Sequence, residues 1–237
     1  MTDLSVACAT YPGDVARARH IYGEVFRMGF EFIFGNRVPG AIAEFGTYEG
    51  FTALMLADLV GEFAADQENY SDQPQRHLYV FDSFCGFPAS DNPADKDSYA
   101  VADFGSWVEG EDASPPGTEE MLRKELAERL GANQCTIVKG YYESTLTPDL
   151  PLSELALVNL DCDLYQSTYV VLDHLMGNSL LPDGALLYFD DFNCNRASPR
   201  YGQRRVVADL AVQYPQYDLE HWHNYGWHGR AFVVHRR

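Results

Sequence analysis

Residues 41–60 constrain the fold of this chain more than any other stretch. Residues 41–45 form a short apolar run, and Gly46 and Gly50 follow it. Apolar residues then recur at helical spacing, at Phe51, Leu54, Met55 and Leu59. The pattern predicts a strand, a tight turn and a helix. In an open α/β sheet such a turn lies beyond the carboxyl end of a strand, where a nucleotide-like ligand binds, and glycines let the backbone approach that ligand closely.

The turn does not fit a dinucleotide-binding fingerprint. A G-x-G-x-x-G pattern counted from Gly46 would need glycines where Tyr48 and Phe51 stand. The pattern present is E-x-G-x-x-x-G, from Glu44 to Gly50, and it resembles the first motif of class I S-adenosylmethionine-dependent methyltransferases. A purely structural turn, with Glu44 capping the next helix, has the same pattern.

Length and charge bound the class of protein. The chain has 237 residues, of which 46% are hydrophobic, and this predicts one α/β domain over residues 1–237. The formal net charge of −18 argues against nucleic acid and anionic membranes as partners, because both require clustered Lys and Arg. We therefore expect a small-molecule substrate. Whether the protein forms a homo-oligomer stays open.

The cysteines indicate a reducing compartment. The five residues, Cys8, Cys85, Cys135, Cys162 and Cys194, show no C-x-x-C spacing, and the sequence has no secretory signal. We expect free thiols, a cytoplasmic protein and no zinc site. No apolar run approaches the ~18 to 20 residues of a membrane-spanning helix.

Two segments stand outside the strand–helix repeat. An N-terminal segment, about residues 10–36, has apolar residues at helical spacing and predicts one or two helices that lead into the first strand. A long acidic segment, about residues 89–117, contains several Pro and Gly residues. A loop of this length inside a compact domain is either functional or mobile. We favour an active-site lid with Tyr99, Phe104 and Trp107 as its apolar contacts, the alternative being a mobile surface insertion.

Two further predicted strands end in candidate cofactor contacts. The run His77 to Asp82 ends in an acid that can accept hydrogen bonds from both ribose hydroxyls, or can cap the next turn instead. Gly140 to Tyr142 follow the predicted strand 135–139 and can flank an adenine ring, although a packed tyrosine pair explains them too. The predicted cofactor-binding residues are Glu44, Gly46, Thr47, Tyr48, Asp82, Ser83, Gly140, Tyr141, Tyr142 and Asp161.

Acidic pairs follow two consecutive predicted strands. Asp161 and Asp163 follow the run 155–160, and Asp190 and Asp191 follow the run 185–189. The carboxyl ends of parallel strands meet at one edge of a sheet, so these four carboxylates should converge. They repel one another unless a cation compensates them or some are protonated, and a hard divalent ion such as Mg²⁺ suits oxygen ligands. The alternative is that they cap helices or pair with Arg204 and Arg205.

Three phrases together give a specific resemblance. Residues 81–88 (FDSFCGFP), 160–168 (LDCDLYQST) and 181–192 (LPDGA followed by DDF) resemble the macrocin O-methyltransferase family of class I methyltransferases. The resemblance implies a Rossmann-like, mostly parallel seven-stranded sheet with helices on both faces. It implies S-adenosylmethionine as methyl donor, a Mg²⁺ or similar ion held by Asp161, Asp190 and Asp191, and a hydroxyl on a sugar or other secondary-metabolite moiety as acceptor.

The expected reaction is methyl transfer from a sulfonium to an acceptor oxygen, as in antibiotic biosynthesis. Such a reaction needs alignment and a lowered hydroxyl pKa, so we assign catalytic roles to Asp161 and Asp163, with Asp163 or a nearby His as base. Two alternatives stay open: a metal-dependent glycosyltransferase using the D-x-D pattern of Asp161 to Asp163, and a non-catalytic scaffold that binds the cofactor. His221, His223 and His228 lie between predicted strands at 217–220 and 231–235, and we interpret them as part of a polar turn rather than as metal ligands.

Overall fold

The structure, a computed structural model, describes residues 15–237. Its strands are β1 (Ala41–Phe45), β2 (Leu78–Asp82), β3 (Cys135–Lys139), β4 (Leu155–Leu160), β5 (Leu186–Phe189), β6 (Tyr217–Tyr225) and β7 (Gly229–Arg236). The helices are α1 (Val15–Gly35), α2 (Phe51–Ala65), α3 (Gln67–Tyr70), α4 (Pro93–Lys96), α5 (Thr118–Leu130), α6 (Tyr142–Thr145), α7 (Tyr165–Gly177) and α8 (Gly202–Gln213). A short π-helix, Tyr99–Asp103, and a 3₁₀ turn, Asn195–Ala197, complete the described elements.

The strands form one mixed sheet in the order β3-β2-β1-β4-β5-β7-β6. The pairs among β1 to β5 are parallel, whereas β7 runs antiparallel to both β5 and β6. The strand order reverses between β1 and β4, and ligands of open α/β sheets bind beyond the carboxyl ends of the strands at such a switch point. The Rossmann-like, mostly parallel fold predicted from the sequence is confirmed.

The core lies on both faces of the sheet. β1, β4 and β5 are buried along their whole length, which explains why they read as continuous apolar runs. On one face α1, α2 and α5 pack through side chains such as Phe26, Phe30 and Leu122. On the other face α7 and α8 pack through side chains such as Leu172 and Leu210. The predicted helices on both faces are therefore present.

The structure refines the predicted boundaries at both ends of the chain. The N-terminal helical segment is a single helix from Val15, and residues 10–14 and Cys8 lie outside the described residues. The predicted polar turn between the last two strands is wrong in extent, because β6 continues to Tyr225 and places His221 and His223 within the strand. Of the three histidines, only His228 lies in the β6–β7 turn. Among the described residues, no helix is long and apolar enough to cross a membrane.

Candidate active site

The turn after β1 approaches β4 so closely that only glycine fits. Gly46 has a φ of +90°, and a Cβ there would clash with the carbonyl oxygen of Asp161. The Gly46 backbone N–H donates to the carbonyl oxygen of Phe81, while that of Asp161 donates to the carbonyl oxygen of Phe45. The turn therefore brings the carboxyl ends of β1, β2 and β4 together.

Asp82 at the tip of β2 holds this turn in place. Its Oδ2 accepts the backbone N–H groups of Thr47 at 2.7 Å and Tyr48 at 3.0 Å, and its Oδ1 accepts that of Phe84 at 2.6 Å. A carboxylate has about four lone-pair sites, so three backbone donors leave little acceptor capacity for a ribose. The alternative role that the sequence left open, an acid fixing the neighbouring turn, is therefore present in the structure.

Glu44 lies beneath the site rather than in it. Its side chain is fully buried, and Oε1 accepts a hydrogen bond from Asn159 Nδ2 at 3.1 Å. Burial raises the pKa of Glu44 to about 7. Thr47 is also buried, and neither residue lines the cavity described next. Their predicted direct contact with the cofactor therefore has no support in this geometry.

A cavity of about 420 Å³ opens at the carboxyl edge of the sheet. Eight of the ten predicted cofactor-binding residues line it: Gly46, Tyr48, Asp82, Ser83, Gly140, Tyr141, Tyr142 and Asp161. Asp163, Ser167 and a wall from Gly86 to Pro88 complete much of the remaining lining. The cavity thus runs from the first turn and the tip of β3 to the acids that follow β4.

Three carboxylates converge just beyond the ends of β4 and β5. One oxygen each from Asp161, Asp163 and Asp191 lie within 4.8 Å of one another. Burial, followed by the charge of Asp190, raises the pKa of Asp161, and burial, followed by the charge of Asp191, raises that of Asp163. Burial and then the charge of Asp190 raise the pKa of Asp191 to about 7. The group therefore repels additional negative charge and attracts cations.

One carboxylate oxygen of Asp191 has no hydrogen-bond donor among the described residues. Its Oδ1 accepts the thiol of Cys194 at 3.3 Å, and its backbone N–H donates to Gln203 Oε1 at 2.9 Å. Its Oδ2 is buried and meets no hydrogen-bond donor among residues 15–237. A buried carboxylate oxygen without a donor is costly unless a proton or a cation occupies the adjoining space.

Asp190 is engaged by two residues outside the group of three acids. Its Oδ1 accepts the hydroxyl of Tyr22 on α1 at 2.8 Å, and its Oδ2 lies 3.5 Å from His228 Nδ1. The same imidazole nitrogen lies 2.8 Å from the Asp190 carbonyl oxygen, and the hydrogen bond to the carboxylate raises the pKa of His228 to about 9. Among the described residues, the group of carboxylates close enough to share an ion contains Asp163 in the place that the resemblance gives to Asp190.

The alternative role of these acids as partners of two arginines is not realised. Arg205 pairs with Asp209 at 3.3 Å. Arg204 donates to the carbonyl oxygen of Phe192 at 3.0 Å and to Asn193 Oδ1 at 2.7 Å. The acids after β4 and β5 therefore have no arginine partner within the described part of the chain.

The 89–117 insertion is anchored at its base. Asp95 is buried, and its carboxylate accepts the backbone N–H groups of Tyr165 at 2.6 Å and Gln166 at 3.2 Å at the start of α7. Ser114 donates to the carbonyl oxygen of Tyr48 at 2.7 Å, and Asp112 lines the cavity. Phe104, which was predicted as an apolar contact of the lid, is instead 69% exposed. The insertion thus forms one wall of the site and carries an exposed tip.

Several contacts of the site were not predicted from the sequence. Tyr22 and His228 reach Asp190 from α1 and the last turn, and Gln203 reaches Asp191 from α8. Single tyrosines, histidines and glutamines carry no local pattern that reveals such long-range contacts. The buried Asp95, two residues after a proline that begins a short helix, has a helix-start signal but none for its contact with α7.

Comparison with known proteins gives a consistent result. The sequence pattern of a family described as Macrocin-O-methyltransferase (TylF) matches residues 24–211. The chain is 27% identical over 194 residues to demethyldecarbamoylnovobiocin O-methyltransferase of Streptomyces niveus, covering 80% of this chain and 68% of that protein. It is 26% identical over 182 residues to mycinamicin III 3''-O-methyltransferase of Micromonospora griseorubida, covering 74% of this chain and 65% of that protein. The match thus spans about two thirds of the length of these relatives.

Among solved structures, the calicheamicin methyltransferase CalS11 is similar over most of the chain. The TM-score is 0.67 with 20% sequence identity, and the alignment covers 92% of this chain and 80% of that one. At this level of identity the similarity concerns the fold.

Proposed function

The chain belongs to the macrocin O-methyltransferase family, and we propose that it transfers a methyl group from S-adenosylmethionine to a hydroxyl oxygen of a small molecule. The acceptor oxygen belongs to a sugar or another part of a secondary metabolite. The observation that carries the proposal is the cavity at the switch point, which joins the first turn, the tips of β2 and β3 and a carboxylate group in one continuous space.

The methyl donor fits the chemistry of this cavity. S-adenosylmethionine has no phosphate, in agreement with a turn that lacks the dinucleotide fingerprint. Tyr141 and Tyr142 at the tip of β3 provide aromatic surface for an adenine ring. The donor carries a sulfonium cation, and the carboxylates of Asp161 and Asp163 at the other end of the cavity attract positive charge.

The acidic residues divide into two roles. Asp161 and Asp191 would hold a divalent cation such as Mg²⁺, in agreement with the buried Asp191 oxygen that lacks a donor, and the nearby charge of Asp163 would add to the attraction. When bound, such an ion lowers the pKa of an acceptor hydroxyl and fixes the direction of its oxygen. We keep Asp190 as a further candidate ligand, although Tyr22 and His228 engage it in this structure.

Asp163 is the proposed general base. It lines the cavity beside Asp161, so its carboxylate faces the space where donor and acceptor meet. In the ion-free protein, burial and then the charge of Asp191 raise its pKa above that of an ordinary aspartate, and a cation bound nearby would favour the ionised form that accepts a proton. The remaining task of the protein is to align the acceptor oxygen with the methyl group.

The composition of the chain supports a proposal for the class of acceptor and for the cellular location. We propose a small-molecule acceptor rather than a nucleic acid or a membrane surface, because the net charge is −18. We also propose a cytoplasmic location, where the cysteines stay reduced.

A combination of binding and turnover measurements tests the proposal. Titration with S-adenosylmethionine measures cofactor binding, and incubation with methyl-labelled S-adenosylmethionine and a metabolite extract, followed by mass spectrometry, identifies a labelled product. Cofactor binding without a labelled product across a panel of glycosylated acceptors would indicate a scaffold. Sugar transfer from a nucleotide sugar without methyl transfer would indicate the glycosyltransferase.

A further inference from the structure

Two arginines stack on the ring of Phe192, the residue that directly follows Asp190 and Asp191. The guanidinium carbon of Arg204 lies 4.6 Å from the centroid of the Phe192 ring, and that of Arg230 lies 4.8 Å from the same centroid. The two cations are therefore within about 10 Å of each other, which is the screening length at ~0.1 M salt. Both side chains are half-buried. Two like charges are thus held together where salt screens their repulsion incompletely.

Neither cation has a charged partner in the described part of the chain. Arg204 bonds only to the Phe192 carbonyl oxygen and the amide oxygen of Asn193, and Arg230 bonds to the amide oxygen of Asn224. Burial, and then the charge of Arg230, lower the pKa of Arg204. The chain has 35 acidic residues against 17 Lys and Arg, so an uncompensated pair of cations is unexpected here.

By contrast, two other arginines of this region pair with carboxylates. Arg205, the next residue along α8, pairs with Asp209, and Arg196 pairs with Asp103 at 3.0 Å. Acidic side chains are therefore available on this side of the molecule. Arg204 and Arg230 instead keep most of their N–H donors free of acceptors from residues 15–237.

The pair is joined to the proposed catalytic site through neighbouring residues of the chain. Phe192 directly follows Asp191, and Arg204 directly follows Gln203, which accepts the Asp191 backbone N–H. Arg230 pairs in register with Phe189 at the carboxyl end of β5. An acceptor that extends from the carboxylates to this pair would carry a reacting hydroxyl at one end and an anionic group at the other.

We propose that Arg204 and Arg230 bind a phosphate or diphosphate group of the methyl acceptor. This inference rests on the proposed function and gives its substrate class: a hydroxyl-bearing sugar linked to phosphate, as a sugar phosphate or a nucleotide sugar. Guanidinium groups match phosphate oxygens in geometry and stay charged at neutral pH. If the stacking merely orders Phe192, the arginines would bind no anion.

Calorimetric titration with inorganic pyrophosphate tests the inference. Chelator in the buffer prevents the carboxylates from binding the probe through a metal. The wild-type protein should bind pyrophosphate, and Arg230→Gln should weaken the binding by about tenfold or more, because a charged hydrogen-bonded contact is lost. Arg204→Gln/Arg230→Gln should abolish it.

Arg236→Gln is the matched control. Arg236 lies on the same strand, and its guanidinium lies 5.7 Å from the ring centroid of Tyr217 and has no carboxylate partner among the described residues. It is exposed and lies at the opposite end of β7 from Arg230. This variant should bind pyrophosphate as the wild type does. Melting temperatures of all variants establish that they are folded, and Arg230→Gln remains informative if the loss of the Arg204 bonds unfolds the double variant.

The outcomes separate this inference from the proposed function. Pyrophosphate binding that is absent in the wild type, or equal in wild type, Arg230→Gln and Arg236→Gln, would overturn the anion site even if S-adenosylmethionine binds. If Arg230→Gln loses pyrophosphate binding and Arg236→Gln does not, the anion site is supported. If the wild type in addition binds no S-adenosylmethionine, the proposed function is refuted. Tighter binding of a nucleoside diphosphate than of pyrophosphate would assign a nucleotide-linked acceptor, and equal binding a sugar phosphate.

Discussion

The carboxylate of Asp82 accepts the backbone N–H of Thr47 at 2.7 Å, which ties the tip of β2 to the turn that follows β1. Asp82 therefore lines the cavity and also holds the neighbouring turn of its wall in place. Any ligand that binds at the first turn depends on this bond, even where it does not touch Asp82.

Replacement of Asp82 should therefore affect both cofactor binding and stability. We predict that Asp82→Ala weakens S-adenosylmethionine binding about thirty- to a hundredfold and lowers the unfolding free energy by on the order of 2 kcal/mol, because charge-assisted bonds are lost. Calorimetry and thermal unfolding measure the two effects. Asp149→Ala, at an exposed turn, is the control and should change neither. Unchanged cofactor affinity in Asp82→Ala would remove this carboxylate from the site.

The buried Glu44 should make stability depend on pH. Burial raises its pKa from 4.5 to about 7, so the stability it contributes is complete below pH 4.5 and is lost as the pH rises through about 7. Relative to Glu44→Gln, the wild type should lose about 3 kcal/mol of unfolding free energy between about pH 4 and about pH 8. Denaturant unfolding at a series of pH values gives this difference. Parallel curves for the two proteins would show that folding leaves the pKa of Glu44 unchanged and would contradict the raised pKa.

The tip of the 89–117 insertion should be the first site of proteolysis. Phe104 is exposed and the base is fixed by Asp95, so we expect cleavage within about residues 102–110. If the segment closes over the cavity, S-adenosylhomocysteine together with an acceptor should slow the cleavage. Cleavage at the same rate with and without ligands would leave the insertion as a static wall.

The anchoring role of Asp95 can be measured separately. Asp95→Ala should lower the unfolding free energy by about 1 to 2 kcal/mol, since the first N–H groups of α7 lose their acceptor, and should speed cleavage of the tip. Asp91→Ala is the control, because Asp91 is exposed and bonds only to Lys96 among the described residues. Equal stability of the two variants would contradict the anchoring role.

The strand tips were predictable because their signals are local. Each parallel strand is a short apolar run that ends in Gly or Asp, so Gly46, Asp82 and Asp161 could be placed on one edge before the structure was known. The Asp190–Tyr22 bond joins residues 168 positions apart and depends on how α1 crosses the sheet. The course of the backbone was predictable here, whereas the directions of the side chains were not. For this reason the sequence did not predict that Asp163, rather than Asp190, lies with Asp161 and Asp191.

Divalent cations should stabilise the protein through the three grouped carboxylates. We predict that Mg²⁺ raises the melting temperature of the wild type and that chelator reverses this and abolishes methyl transfer. Asp161→Asn and Asp191→Asn should lose the response to Mg²⁺ and, in chelator, melt above the wild type because carboxylate repulsion is relieved. Asp190→Asn should melt lower, since Tyr22 and His228 lose a charged partner. Methyl transfer that is indifferent to chelator would refute metal dependence.

Binding of S-adenosylmethionine in the cavity beyond β1 and β4 is the central claim, and calorimetric titration of the wild-type protein measures it most directly. We predict one site per chain, competition by S-adenosylhomocysteine, and weakened binding in Asp82→Ala but not in Asp149→Ala. A folded wild-type protein that shows no binding of either compound would contradict the claim.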